Sequence, residues 1–262
     1  MKAHHLLAFI ALLSIVPASY ASDLEKEKRW SEQITNAILV GEAQWLEDQQ
    51  GKFLTIYSES NRSHVKGAVI ILHGMGAHPD WQDVIYPLRT RLPDAGWATL
   101  SIQMPILPNS ANQTEYLPLF DEVQPRIQAA INFLEQQKQG PIILLGHSLG
   151  ATMGAHYLAN TPKNKIQAFI AIGMSSSDTD PKFNNAEHLA KINIAILDLY
   201  GSQDLDGVLD SAKKRKSAAK KGANRAYRQI KVEGADHMFN GLDDELLQIT
   251  GSWLHKVIRN QR

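Results

Sequence analysis

The sequence predicts an α/β protein built on a mostly parallel sheet with helices on both faces. Wholly apolar runs at 68–72, 142–145 and 168–172 lack a polar side, and a strand apolar on both sides must be covered on both sides. Between these runs lie longer stretches with apolar residues at helical spacing, and strands alternating with helices make parallel crossovers. Directly after the 142–145 run stands Gly146-His147-Ser148-Leu149-Gly150. This is a G-x-S-x-G pattern, whose turn from strand to helix holds a serine in strained backbone with its hydroxyl projecting.

Taken in order, the chain opens with Lys2 in a short basic start, an apolar run at 6–16, and small residues at Ser19 and Ala21. This pattern reads as a secretory signal peptide over 1–21, cleaved between Ala21 and Ser22. The run is shorter than the ~20 residues that span a bilayer. Export to the periplasm or medium is therefore expected. Residues 22–262 suit one domain with a sizeable core. Lys plus Arg and Asp plus Glu balance at 27 each, so no overall field favours nucleic acid. With no cysteine, the chain has neither disulfides nor thiolate chemistry, and no lipidated cysteine can tether it.

Residues 23–37 are charge-rich, with Trp30, Ile34 and Ala37 at helical spacing, and predict an amphipathic helix. Residues 42–58 predict a hairpin turning at Asp48-Gln49-Gln50-Gly51. The 68–72 strand ends at His73-Gly74-Met75-Gly76, and 81–91 has helical spacing that stops before Pro93. A strand at 97–102 leads into a loop rich in Pro and Asn, reaching about Phe120. Asp121 is positioned to cap the long helix that follows, through Ile127, Ile131 and Leu134. Beyond the serine come a small-residue helix, the 168–172 strand, a polar connection, strands at 194–200 and 227–232 with a basic helix between them, and a last helix near 244–258.

Glycines two residues either side of Ser148 are a steric requirement of the turn. A serine hydroxyl needs a base, and the base an orienting carboxylate. Candidates for both follow later strands, in Gly201-Ser202-Gln203-Asp204 and Glu233-Gly234-Ala235-Asp236-His237. Asp206 and Asp198 compete with Asp204, but a strand-interior aspartate such as Asp198 is usually structural, because a buried carboxylate demands partners. From the residues alone, Asp204 and Asp206 both stay open as the orienting carboxylate. His73 and His147 flank the site without occupying a base position.

With the His73-Gly74-Met75-Gly76, Gly146–Gly150, Gly201–Asp204 and His237 motifs in place, the chain resembles the α/β-hydrolase superfamily over nearly all of residues 22–262. Within it the chain is similar to an exported bacterial group of unassigned substrate, and more loosely to carboxylesterase and dienelactone-hydrolase types. The resemblance implies the α/β-hydrolase fold with an antiparallel N-terminal hairpin. It also implies Ser148 as nucleophile, His237 as general base and then acid, Asp204 as its orienter, and an oxyanion hole from the N–H groups of Met75 and Leu149.

The expected activity is that of a serine hydrolase cleaving carboxylic esters through an acyl-enzyme, without a cofactor and without a metal. Two alternatives are acyl transfer by the same triad and a catalytically inactive envelope binding protein. Trp81, Tyr116 and Phe120 are candidates for the pocket wall. The polar segment at 174–191 is too short for a cap domain, whereas the loop at 105–120 carries enough apolar surface for an acyl-pocket wall, with packing on the helix after Ser148 as the alternative. A partly open site is expected. Lys213, Lys214, Arg215 and Lys216 form the strongest charge cluster. Its expected role is a solvated helix face, with contact to an anionic envelope surface as the alternative. The expected partner is a small acyl ester, and the expected state a monomer.

Overall fold

The computed structural model of the chain describes residues 22–222, 224 and 226–259; the signal-peptide reading of 1–21 lies outside them. The expected hairpin is formed by β1 (Glu42–Asp48) and β2 (Gly51–Ser58), paired antiparallel from Glu42–Tyr57 to Asp48–Gly51. The remaining strands are β3 (Gly67–Leu72), β4 (Trp97–Ile102), β5 (Ile142–His147), β6 (Ile166–Ile172), β7 (Ala195–Gln203) and β8 (Tyr227–Asp236). All described strands share one sheet of order β1-β2-β4-β3-β5-β6-β7-β8. β2 is antiparallel to β4, and every pairing from β4 to β8 is parallel.

Seven helices accompany the sheet among the described residues: α1 (Leu24–Thr35), α2 (Ile85–Arg91), α3 (Phe120–Gln136), α4 (Leu149–Asn160), α5 (Asn185–Lys191), α6 (Asp206–Lys221) and α7 (Asp243–Arg259). The two-residue period of the central strands divides the core. Ile70, Leu72, Leu144 and Phe169 pack with α3 and α4, whereas Val69, Ile71, Leu145 and Ile170 pack with α2 and α7. A smaller cluster seats Ile34 of α1 on Leu54 and Ile56 of β2.

Three local expectations need correction. The helix expected from Trp81 begins at Ile85, after a left-handed Val84 (φ 60°), because a turn closed by Tyr86 N–H on Trp81 O occupies the first residues. The expected loop up to Phe120 contains a 3-10 helix, Gln113–Leu119, closed by a capping box between Asn112 and Glu115. That helix runs straight into α3, so Phe120 N–H bonds the carbonyls of Leu117 and Pro118. Asp121 therefore sits in the first turn of α3 and is not its cap.

The basic run at 213–216 is split by the helical period. Arg215 turns inward and is fully buried against the fully buried Asp198 (Nε to Oδ2, 2.9 Å). The hydroxyl of Tyr227 (2.6 Å) and the amide of Gln229 (3.0 Å) also donate to that carboxylate. Asp198 is thus structural, as a strand-interior aspartate should be. Lys214 pairs with Asp178, and Lys213, Lys214 and Lys221 line a groove of about 610 Å³ shared with Asp178, Glu187 and Asp210. Arg215 is unavailable to an anionic surface, Lys213 and Lys214 share their groove with carboxylates, and Lys216 is exposed. Arg215→Met leaves Asp198 buried without its counter-charge, and the variant should lose about 3–5 kcal/mol of stability in urea unfolding.

Candidate active site

Ser148 stands between β5 and α4 with φ 54° and ψ −121°, a conformation of the kind held only where surroundings over-determine it. Ser148 N–H bonds Ile172 O of the neighbouring β6 at 2.8 Å, and Ser148 O accepts the N–H groups of Ala151 and Thr152. Both flanking glycines are enforced by close approach. A Cβ on Gly146 would lie 2.6 Å from Ala151 N, and one on Gly150 would lie 2.4 Å from His73 O. The turn therefore has space for a side chain at Ser148 and none two residues to either side.

Asp204 follows the last residue of β7 and is 5% exposed. Its Oδ1 accepts from His237 Nδ1 at 2.6 Å and from Leu205 N–H at 2.8 Å, while Oδ2 accepts from Gly201 N–H at 3.2 Å. Burial alone would push this carboxyl up. The hydrogen bond and charge of His237, with the two backbone N–H groups, outweigh it and hold the pKa below the usual carboxylate value. A carboxylate only accepts, so Nδ1 of His237 carries the proton and Nε2 of the neutral ring is left as the basic nitrogen. Asp206 is exposed in the first turn of α6 and has no hydrogen bond or ion pair with His237 among the described residues.

The loop after β8 that carries His237 is held by Asp236, whose carboxylate accepts the backbone N–H groups of Met238 (3.0 Å) and Asn240 (3.1 Å) and the amide of Asn240 (2.8 Å). His147, buried at the end of β5, bonds His237 O through Nε2 at 3.0 Å, and its ring lies 4.9 Å from that of His237. Burial pushes its pKa down to about 4, so it is a neutral shelf beneath the catalytic candidate. His73 is also neutral, pushed by burial down to about 3. Its Nδ1 lies 2.9 Å from Gly74 O, to which it donates, and its Nε2 accepts Met104 N–H at 2.9 Å. It braces the turn that presents Met75.

Ser148, His237, Met75 and Leu149 line one cavity of about 250 Å³. Leu149 is the first residue of α4, and its N–H is one of the donors a helix leaves unpaired. Neither it nor the Met75 N–H has a hydrogen-bond partner among the described residues. No hydrogen bond joins Ser148 to His237 among the described residues; such contacts tighten when substrate fills an open site. Larger concavities, the Lys214 groove and one of about 570 Å³ along β1 and β2, contain neither Ser148 nor His237. Chemistry, not volume, selects the smaller cavity.

The pocket wall differs from expectation. Trp81, Tyr116 and Phe120 are absent from it; Gln113, Thr152, Ser175, Leu205 and Val208 take their place. Trp81, half-buried, meets His78 edge to face and packs against the core cluster of α2 and α7, and Phe120 packs on His156 and Phe183. Tyr116 is 2% exposed, and its hydroxyl accepts the N–H of Leu107 (3.1 Å) and lies near the backbone of Gly76. It ties the 105–120 segment to the Met75 turn. That segment spends its apolar side chains on the core, since Ile106, Leu107, Leu119 and Phe120 are all buried. The cavity rim is instead apolar through Met75 and Leu205, which are 46% and 58% exposed. Leu205 had one sequence signal, its place directly after Asp204.

A family model described as protein of unknown function (DUF3530) matches residues 17–118 and 109–256. No curated protein matches the sequence. Among solved structures, the chain is similar to Est1E from Butyrivibrio proteoclasticus, with a TM-score of 0.64 at 15% identity over 84% of this chain and 99% of that one. Est1E has also been solved with ferulic acid bound. The esterase domain of a Rhodothermus marinus protein superposes with a TM-score of 0.60 at 15% identity, covering 83% of this chain and 98% of that one. An α/β serine hydrolase without a lid from Xanthomonas campestris gives 0.59 at 16% identity over 85% and 95%. These likenesses show the α/β-hydrolase fold.

Proposed function

We propose that this chain, which belongs to the DUF3530 family of proteins of unknown function, is a serine hydrolase acting on carboxylic esters. The observation that carries the reading is the 2.6 Å pair of Asp204 and His237 opening on the same cavity as a strained Ser148 and two unpaired N–H groups. In this reading Ser148 Oγ forms a bond to the ester carbonyl carbon while its proton passes to His237 Nε2. The carbonyl oxygen, now negative, takes the N–H groups of Leu149 and Met75, which are fixed before the charge develops. Collapse breaks the carbon–oxygen bond, and His237 returns its proton to the departing alcohol. Water, deprotonated by His237, then releases the acid and restores Ser148.

The esterase character of Est1E and of the Rhodothermus domain supports this choice of substrate class. Labelling by a fluorophosphonate probe, together with hydrolysis of an acyl-ester panel graded by chain length and leaving group, tests it. Inertness to both would favour a binding protein on the same fold.

The rim suits soluble esters of short to medium acyl chain, because its exposed apolar surface rests on Met75 and Leu205 while the 105–120 segment is packed down. Rate against substrate concentration should therefore saturate smoothly across the solubility limit. A sharp rise at that limit would reveal a mobile apolar lid and overturn the open-site reading. Residues 1–21 are proposed as a leader removed on export, leaving Ser22 as the first residue of a periplasmic or secreted enzyme.

A further inference from the structure

We infer that Glu122 is the receptor for the amino group created when the leader is removed, so that export completes the fold. The inference rests on cleavage between Ala21 and Ser22. Ser22 is 6% exposed, and its backbone N–H donates to Glu122 Oε1 at 3.2 Å across 100 residues of sequence. Its hydroxyl donates to Gln50 Oε1 at 3.3 Å, and the next residue bonds Ile106 O through its N–H at 2.7 Å. The other carboxylate oxygen, Glu122 Oε2, is buried without a hydrogen-bond partner among the described residues.

An amide N–H supplies one hydrogen, which Oε1 takes. Hydrolysis of the Ala21–Ser22 amide adds water across the carbon–nitrogen bond, leaving a carboxylate on the leader and a free amine on Ser22. Protonated at neutral pH, that amine has three hydrogens and a positive charge. It can serve both oxygens of Glu122 in a charge-assisted pair, which a continuous peptide cannot do. The gain is placed where it matters for the site. Lys26, one turn into α1, holds Leu107 O at 2.8 Å and Asn109 at 2.7 Å. Leu107 in turn bonds Tyr116, which contacts the Met75 turn.

The test compares purified chains beginning at Ser22, made by removing a tag in vitro, with chains that retain Gly-Ala before Ser22, each with and without Glu122→Gln. The Ser22 chain should melt roughly 2–4 °C above the extended one, and Glu122→Gln should erase that difference. Equal melting points, or a difference that survives Glu122→Gln, overturn the inference. Should Glu122→Gln fail to fold, periodate gives a second reading, since it attacks the amino alcohol of an N-terminal serine. The native Ser22 chain should resist oxidation and react once unfolded in urea; rapid oxidation of the native chain overturns the inference. An exported protein whose intact mass shows a start other than Ser22 overturns it too. Ester turnover enters none of these comparisons, so failure of the hydrolase reading is seen separately.

Discussion

Ser148→Ala should abolish ester turnover and probe labelling while the protein keeps its fold. Removing the nucleophile of such a triad costs on the order of 10⁶ in kcat, because the residual site can only bind and polarise the ester. Ser148 is half-buried at a cavity wall, and its contacts to the rest of the fold run through backbone atoms, to Ile172 O, Ala151 N and Thr152 N. Alanine keeps those bonds and has the Cβ that the turn already accommodates. The melting temperature should therefore shift little. Turnover above about 1% of wild type in a folded Ser148→Ala protein would place the nucleophile elsewhere, since a triad serine is worth far more than that.

Asp204→Asn should be strongly damaging, with a loss of about 10⁴ in kcat. The asparagine amide can donate to His237 Nδ1, and a ring that accepts there must carry its proton on Nε2, where the base is needed. Asp206→Asn provides the control. Asp206 is exposed at the start of α6, where it contributes at most a helix-terminus charge of about 0.3–1 kcal/mol. Its replacement should leave turnover within a few-fold of wild type. Comparable losses from the two variants, or a larger one from Asp206→Asn, would exclude Asp204 as the orienting carboxylate. Side-chain titration of His237 by NMR distinguishes an altered tautomer from local unfolding.

The strands and the elbow were legible because their causes are local. Ile142, Ile143, Leu144 and Leu145 require cover on both faces wherever they sit, and the sheet puts them at its centre, between β3 and β6. Gly146 and Gly150 answer to atoms within a few residues or on the strand next door, so the turn is written in five letters. The order of serine, aspartate and histidine, each directly after a strand (β5, β7 and β8), was likewise readable along the chain, as was the hairpin at 42–58.

Whatever depended on which way a residue turns was not readable. Arg215 and Lys214 are neighbours in one basic run, yet a 100° step around α6 sends one to Asp198 and the other to Asp178 at the surface. Tyr116 and Phe120 have the composition of a pocket wall, but the 3-10 helix leading into α3 rotates them into the core and leaves Gln113 at the cavity. Asp204 and Asp206 lie two residues apart; only the return of β8 alongside β7 brings His237 to the first of them. The sequence by itself determined the sheet, the elbow and the chemical kinds of side chain available. Tertiary structure alone decided the partners, because hydrogen bonds and ion pairs across 17 to 100 residues follow from chain crossings that no local period encodes.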